Sequence, residues 1–328
     1  MPINKTVGGK SHKNSNFYAT VRRVQTQRSA ANISDGCNIL FGDPTNTRKS
    51  LLSRTTRVPV KGNITIPYGV FTSSGPGRAK CTPDTTCDDP MDARTLSVSN
   101  YGCRFPVCED AFEDAPGLED FYKVGLRSGL ERNVDGNIIY TAEAGNAGLI
   151  GIIGASSLTD ADAKKRGAMV INNATADKVA LADLEILISA IDPYSYSTED
   201  LVILLSPTDW QGIRAEVYET YAVNRINLTD KTFDGYPVFL YPSIPKGQAG
   251  VAAIRNYLVG VRKDLELTTC GSCDTVIKAK ARLAGAMAGI GGAYELNTGT
   301  NVPGEGAGLV LGQEGVYAAY LSGKANTP

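Results

Sequence analysis

The sequence contains one histidine among its 328 residues, and this scarcity excludes several kinds of active site. His12 lies in a polar segment rich in Lys, Asn, Ser and Gly, outside any predicted helix or strand. Nucleophilic sites in which a rigidly held histidine activates a serine or a cysteine are therefore excluded. Metal sites built from several histidines are excluded for the same reason. We expect a structural role, without enzymatic activity and without a cofactor.

Acidic residues are absent before Asp35, whereas the whole chain is nearly neutral. The sequence has 33 Lys and Arg against 34 Asp and Glu, so its overall charge favours neither nucleic acid nor a membrane surface. The first segment predicts a mobile basic arm. Two interpretations stay open for it: a solvated terminus without function, and an arm that binds a partner. Its basic residues are Lys5, Lys10, Lys13, Arg22, Arg23 and Arg28.

Long apolar runs are also missing. No run reaches the roughly 18 residues that a membrane-spanning helix requires, and the N-terminus lacks the apolar core of a secretory signal. We therefore expect synthesis and folding in a cytosol, with no membrane partner. The composition, 42% hydrophobic and 20% charged, is typical of a folded soluble protein, and the length allows one large domain or two smaller ones.

Cysteine, in contrast, occurs seven times, and six of the seven lie in close pairs. Only the pair Cys270 and Cys273 has the spacing of a zinc knuckle. A cytosol opposes disulfides at synthesis, but a product that leaves the cell could oxidise, and the short loops between paired cysteines would close easily. We favour disulfides over a structural zinc site, and zinc over a redox role. The pairs are Cys81 and Cys87, Cys103 and Cys108, and Cys270 and Cys273, with Cys37 single.

The first half of the chain predicts one β-hairpin and one long helix. Val58 and Val60 precede a turn at 61–63, and apolar residues alternate after it, which is the pattern of a hairpin; we expect it to project as a two-stranded arm outside the core. The helix is predicted over 114–135, and its end is expected at Asp135-Gly136. Its apolar stripe recurs every four residues: Leu118, Tyr122, Leu126, Leu130 and Val134.

The second half predicts alternating helices and strands, which together indicate an α+β fold. The motif Gly151-Ile-Ile-Gly154 lacks the rest of a dinucleotide-binding fingerprint, so it indicates chain geometry and no nucleotide site. The predicted elements are a helix over 179–191, a strand buried on both faces over 201–205, a helix capped by Ser206 with Pro207 first, and strands over 237–241, 256–268 and 276–283.

Four of these segments follow one another with short gaps, and their order is informative. The series resembles the major capsid proteins of tailed double-stranded DNA phages, whose Hong Kong 97-type capsid fold is shared with encapsulin compartments. In that family a helix precedes a strand that ends in Pro and a helix, and a Gly-x-Pro-Val corner leads to a further strand. The four segments are ADLEILISAID, LVILLSPTDWQGIRAEV, FDGYPVFLYPSIPKG and NYLVGVRKDLELT.

The resemblance implies five parts along the chain. The cysteine pairs and the Gly-rich end of the sequence depart from the minimal fold of the family. The implied parts are an N-terminal arm over 1–47, an E-loop over 48–80, a peripheral domain over 81–145 and 263–297 with a spine helix over 114–135, an axial domain over 146–262, and a C-terminal tail over 298–328.

The resemblance also implies a function: self-assembly into the hexamers and pentamers of an icosahedral phage head that encloses double-stranded DNA. The implied partners are copies of the chain, DNA bound without sequence preference, and separate scaffold, portal and decoration proteins. The implied location is the virion capsid, assembled in the host cytoplasm. Two alternatives stay open. One is an encapsulin-like compartment that loads cargo enzymes, and the other is a zinc or redox protein that uses Cys270 and Cys273.

Overall fold

The computed structural model divides the chain into two compact units, each assembled from distant parts of the sequence. The first unit comprises Met1–Ser53, Asn100–Asn133 and Lys263–Arg282, and the second comprises Arg54–Ser99, Val134–Arg262 and Leu283–Pro328. The functional names implied by the resemblance, peripheral and axial, stay predictions for these units. The structure describes residues 50–68, 92–107, 118–155, 160–173, 175–220, 223–270, 275–294 and 314–325.

The helices of the described residues are α1 Leu118–Ile139, α2 Asp160–Arg166, α3 Leu181–Ala190 and α4 Pro207–Glu219. Helix α3 and helix α4 lie where they were predicted. Ser206 caps α4, since its hydroxyl accepts a hydrogen bond from the Asp209 N–H at 3.0 Å. Pro207 occupies the first turn, where its missing N–H has no cost.

The predicted end of α1 at Asp135-Gly136 is wrong, because the helix continues to Ile139. Gly136 is buried inside the helix, and a Cβ at this position would overlap the hydroxyl of Tyr241. Glycine at position 136 therefore leaves room for the Tyr241 side chain. Glycine at a helix end has another use, because it adopts the left-handed backbone of a cap. Sequence alone does not distinguish these two uses.

Fourteen strands form three sheets in the described part of the chain. The four-stranded sheet has the order β1-β11-β12-β4, the two-stranded ribbon is β2-β3, and the eight-stranded sheet has the order β13-β5-β14-β10-β6-β9-β8-β7. The strands are β1 Thr56–Pro59, β2 Asn63–Tyr68, β3 Asp92–Ser97, β4 Ser99–Val107, β5 Met169–Asn173, β6 Leu201–Leu205, β7 Ile226–Asn227, β8 Thr232–Phe233, β9 Tyr236–Leu240, β10 Ala249–Ala253, β11 Tyr257–Cys270, β12 Thr275–Met287, β13 Gly292–Tyr294 and β14 Ala318–Ala325.

The eight-stranded sheet lies entirely in the second unit, and β6 is one of its central strands. Strand β6 pairs antiparallel with β10 and parallel with β9, and all five of its residues are fully buried. Ile203 and Leu205 pack in one core cluster with Leu187 of α3 and Ile213 of α4. The prediction of a strand buried on both faces is therefore confirmed.

The last described strand, which lies within the predicted Gly-rich C-terminal tail over 298–328, is also an interior strand of this sheet. Strand β14 lies between β5 and β10, parallel to the first and antiparallel to the second. Val316, Ala319 and Tyr320 have no exposed surface, and Leu321 is 1% exposed. The sequence before these residues is rich in glycine, which is typical of a tail. The residues themselves are apolar and β-prone.

The predicted hairpin after Val58 is wrong, although both of its strands exist. Strand β1 pairs in parallel with β11, whereas β2 pairs antiparallel with β3, far along the chain. Ile64 and Ile66 are 4% and 0% exposed, and they pack in a core cluster with Leu96 and Ala284. Burial of this face outweighs local pairing. The base of the β2–β3 ribbon therefore belongs to the core, contrary to the expectation of an arm outside it.

The long strands β11 and β12 confirm the predictions over 256–268 and 276–283. Along β12, Ala279 and Ala281 are buried while Lys278 and Lys280 are exposed, which is the period-2 pattern read from the sequence. In the first unit, a Cβ at Gly102 of β4 would lie 2.8 Å from the Ala279 carbonyl oxygen. Strands β4 and β12 therefore approach each other more closely at Gly102 than a residue with a side chain would allow.

Removal of residues 314–328 should abolish folding of the subunit. The deletion exposes the edges of β5 and β10 and removes a buried strand, a loss comparable to the whole stability of a domain, about 5–15 kcal/mol. Soluble expression and circular dichroism of the truncated chain measure this. The matched control deletes only 326–328, which leaves β14 intact and should fold normally; a folded, soluble 1–313 chain would contradict the prediction.

Candidate functional site

The corner before β9 is fixed by backbone conformation and by one arginine. Asp234 and Gly235 have successive φ angles of +50° and +84°, the left-handed region that a tight turn between β8 and β9 requires. The Arg225 Nε donates to an Asp234 carboxylate oxygen at 2.8 Å, and the same guanidinium pairs with Glu185. It also lies 4.9 Å from the centre of the Phe233 ring. This corner is held in one shape.

The loop after β9 ends at a second constrained glycine. Gly247 has a φ of +79°, and a Cβ there would overlap the backbone of Asp177. Its N–H lies 3.3 Å from an Asp209 carboxylate oxygen, and its carbonyl accepts from the Asn173 Nδ2 at 2.6 Å. The segment 233–247 is thus fixed at both ends.

A buried polar network ties the last strand to the rest of the sheet. Asn173, Gln248 and Ser322 are at most 5% exposed. The Gln248 Nε2 donates to the carbonyls of Gly154 and Ser322 at 3.0 and 3.1 Å, and the Asn173 Oδ1 accepts from the Gly323 N–H at 2.9 Å. Because buried polar groups cost free energy unless they are paired, this network favours one register of β14.

Arg166, the last residue of α2, is fully buried, and its guanidinium joins two chain segments. Its Nη1 donates to the carbonyls of Gly151 and Ile153 at 2.8 and 3.2 Å and to the Thr141 hydroxyl at 3.0 Å. Its Nη2 donates to the carbonyls of Thr141 and Ala142 at 2.7 and 3.1 Å. The charge is thus stabilised by carbonyl and hydroxyl dipoles that converge on one cation.

The Gly151-Ile-Ile-Gly154 motif lies in this crossing. The Ile152 and Ile153 N–H groups donate to the carbonyls of Ile138 and Ile139, the last two residues of α1, at 2.9 Å. A Cβ at Gly151 would overlap the backbone of Tyr140 and Thr141. The glycine allows two backbones to touch, which is the structural use that the sequence indicated.

A second arginine holds the base of the β2–β3 ribbon. The two terminal nitrogens of Arg94 in β3 donate to the carbonyls of Met287 and Gly289 at 2.7 and 2.8 Å. The same guanidinium lies 4.2 Å from the centre of the Tyr68 ring in β2. A Cβ at Gly167 would overlap it. Arg94 therefore ties both strands of the ribbon to the chain segment 287–289.

The residues that the sequence singled out lie mostly outside the described part of the chain. This applies to the basic arm, from Lys5 to Arg28, and to the side chains of all seven cysteines. The backbone places Cys103 in β4 and Cys270 at the end of β11, and Cys273 follows outside the described residues. Within the described residues, no group of three or more His, Cys, Asp or Glu side chains could hold a metal ion. The cysteine assignments stay predictions.

Sequence reasoning missed the buried Arg166, the partly buried Arg94 and the buried amides. Arg166 ends the run Asp-Ala-Lys-Lys-Arg, which has the pattern of a solvated helix end, and Arg94 lies between Ala93 and Thr95 in a strand of alternating pattern. The only available signal for Arg166 is the glycine and the apolar strand that directly follow it. Their partners are backbone carbonyls, which leave no trace in the sequence.

Comparison with known proteins decides the family. A sequence model of the phage capsid family matches residues 42–288, about three quarters of the chain. The chain belongs to the phage capsid family. The search of curated proteins found no match.

Solved structures show the same fold at low sequence identity. The capsid of an empty GTA particle, computed with C5 symmetry, matches with a TM-score of 0.52 at 13% identity, covering 87% of this chain and 92% of that one. The capsid of the cyanophage P-SCSP1u matches with a TM-score of 0.51 at 14% identity, covering 84% and 87%. The Hong Kong 97-type capsid fold predicted from the sequence is thereby confirmed.

The fixed corner, the polar network and the arginine contacts all act on backbone geometry within the second unit. The corner leads into β9, the polar network joins β5 and β14 to the start of β10, and α2 and β3 carry Arg166 and Arg94. In the described residues, no helix is long and apolar enough to cross a membrane.

Replacing Arg166 with leucine should lower the free energy of unfolding by about 3 kcal/mol or more, since several buried oxygens lose their donor. Arg166→Lys retains the charge but cannot reach both segments, so its loss should be intermediate. Urea denaturation of the purified subunit measures both variants. Lys165→Ala, at the exposed neighbouring position, is the matched control and should change stability by no more than about 0.5 kcal/mol. Equal stability of Arg166→Leu and the control would contradict the role of Arg166.

Proposed function

We propose that this capsid protein is the major subunit of an icosahedral phage head, in which hexamers and pentamers of the chain enclose double-stranded DNA. The observation that carries the proposal is the family match over 42–288, together with the Hong Kong 97-type fold of the structure. The role is structural, without catalysis. The head forms in the host cytoplasm and becomes the shell of the virion.

The internal supports of the subunit favour this role. A closed shell repeats one contact geometry many times, so a small error in subunit shape accumulates around the particle. Fixed turns at Gly235 and Gly247 and the guanidinium contacts of Arg166 and Arg94 limit such errors. Rigid supports of this kind also reduce the ordering that binding would otherwise require.

Further partners follow from the proposed role. The basic arm, from Lys5 to Arg28, lies against acidic surfaces of neighbouring copies or against the packaged DNA; the second contact is independent of sequence and weakens with salt. Separate scaffold, portal and decoration proteins complete the particle. These partners are inferred from the family role.

Electron microscopy of the purified protein, expressed alone and with a candidate scaffold, tests the proposal. Closed, uniform shells with hexameric and pentameric capsomers are expected, and DNA inside particles from infected cells would separate a virus head from a cargo compartment. Small particles of uniform size under every condition would contradict the proposed function. A shell filled with a cargo enzyme, and free of DNA, would favour the compartment.

The paired cysteines should be oxidised in mature particles released from the cell. Alkylation of intact particles followed by mass spectrometry measures this, and we expect protection of Cys81, Cys87, Cys103 and Cys108 that is lost after reduction. Cys108→Ser is the informative variant, because it should free Cys103 alone if these two are partners. Free thiols at all four positions in released particles would contradict the prediction.

A further inference from the structure

Tyr194 is exposed to an unusual degree. Its side chain is 98% exposed, while the other exposed large hydrophobic residues of the described part, Val58, Leu228 and Tyr218, are 37%, 46% and 51% exposed. A fully solvated tyrosine keeps a large apolar ring in water without any gain from packing. Single exposed apolar residues are common, so exposure alone has no functional meaning. The turn that carries Tyr194 gives the second observation.

This turn, between α3 and β6, is held by several hydrogen bonds. The Asp192 carboxylate accepts from the Tyr194 N–H at 2.9 Å, and the Asp192 carbonyl accepts from the Ser195 N–H and hydroxyl at 3.0 and 2.6 Å. The Asp192 N–H donates to the Val316 carbonyl at 3.0 Å, and the Asn256 Nδ2 donates to the Ser195 carbonyl at 3.3 Å. The turn is thus anchored to two distant parts of the second unit.

The residues on either side fix the direction in which Tyr194 points. Pro193 restricts the backbone before it. Tyr196, two positions later, packs against the main core cluster, and its ring meets the Tyr236 ring edge to face at 6.4 Å. Tyr196 therefore faces the core, whereas Tyr194 faces solvent from the same hydrogen-bonded turn. The exposed ring is therefore a preset feature of the folded subunit.

We propose that Tyr194 is an anchor that a second copy of this chain covers in the assembled shell. The inference rests on the proposed function, in which the particle consists of copies of one chain. A tyrosine on a rigid turn offers a large contact area with few torsions left to order, and such residues dominate many protein interfaces. The burial that Tyr194 lacks within its own subunit is then supplied by the neighbour.

The shape of the turn determines the kind of contact. A single protruding side chain cannot pack well against an identical protrusion, so Tyr194 requires a concave surface elsewhere on the next copy. Such a contact joins two different surfaces of one chain and closes into a ring when the rotation between copies allows it. Rings of this type are the hexamers and pentamers of the proposed particle.

The test compares two variants in an assembly titration. Tyr194→Ala removes the ring and should raise the protein concentration needed for shell formation at least about tenfold. Tyr194→Phe keeps the ring and should stay within about threefold of the unchanged protein. Because Tyr194 is exposed, neither variant should shift the melting temperature of the free subunit by more than about 2 °C, which separates assembly from folding.

Hydroxyl-radical footprinting supplies an independent measurement on the unchanged protein. Tyr194 should react readily in the free subunit and become protected in shells formed from this chain alone. Assembly of Tyr194→Ala at the unchanged threshold, or full labelling of Tyr194 in shells, would overturn the inference. Protection that requires an added scaffold or decoration protein would overturn it as well.

Failure of the unchanged protein to form shells counts against the proposed function and is recognised before any variant is made. The footprint of whatever oligomer then forms decides the contact itself. Protection of Tyr194 in that oligomer supports a contact between copies, and labelling equal to that of the free subunit overturns it.

Discussion

The pairing of β14 with β5 and β10 is the constraint on which the second unit depends. Strand β14 is the last described strand, yet it joins β13 and β5 to the other five strands of the eight-stranded sheet. Its residues complete the core, and its backbone accepts the buried amide of Gln248. The core is therefore incomplete until β14 is in place. Such long-range pairing folds slowly.

Burial of the charged guanidinium of Arg166 costs desolvation free energy, which neighbouring groups must offset. A fully buried guanidinium stays protonated, although burial lowers its pKa below the usual value. Tyr320 cannot act as its counterion, because burial raises the pKa of that phenol and keeps it neutral. The carbonyls of two crossing segments, together with the charge of Asp162, supply the compensation. An apolar side chain would fill the same space at less desolvation cost, but it would leave those carbonyls unpaired and the crossing undefined.

The sequence correctly predicted those helices and strands that depend on residues within or next to the element itself. The burial of β6 follows from five consecutive apolar residues, and the start of α4 follows from the Ser206 cap and Pro207. The failures have causes that lie elsewhere in the chain. Gly136 does not end α1, because its role is contact with Tyr241, about a hundred residues away. Strand β2 pairs with β3 and not with its sequence neighbour β1, and in this pairing Ile64 and Ile66 are buried in a core cluster with Leu96 and Ala284.

The same distinction explains why the family could be identified while the site could not. The solved capsid structures share the fold of this chain at 13–14% identity, so the common feature is a backbone path with few fixed side chains. Many different apolar sequences can adopt the same backbone path, provided that the turns keep their conformation and the buried carbonyls accept hydrogen bonds. In this chain Arg166, Arg94 and Gln248 hold them, and each binds main-chain oxygens that any residue provides. A function carried by shape therefore leaves a pattern of elements in the sequence and no catalytic motif.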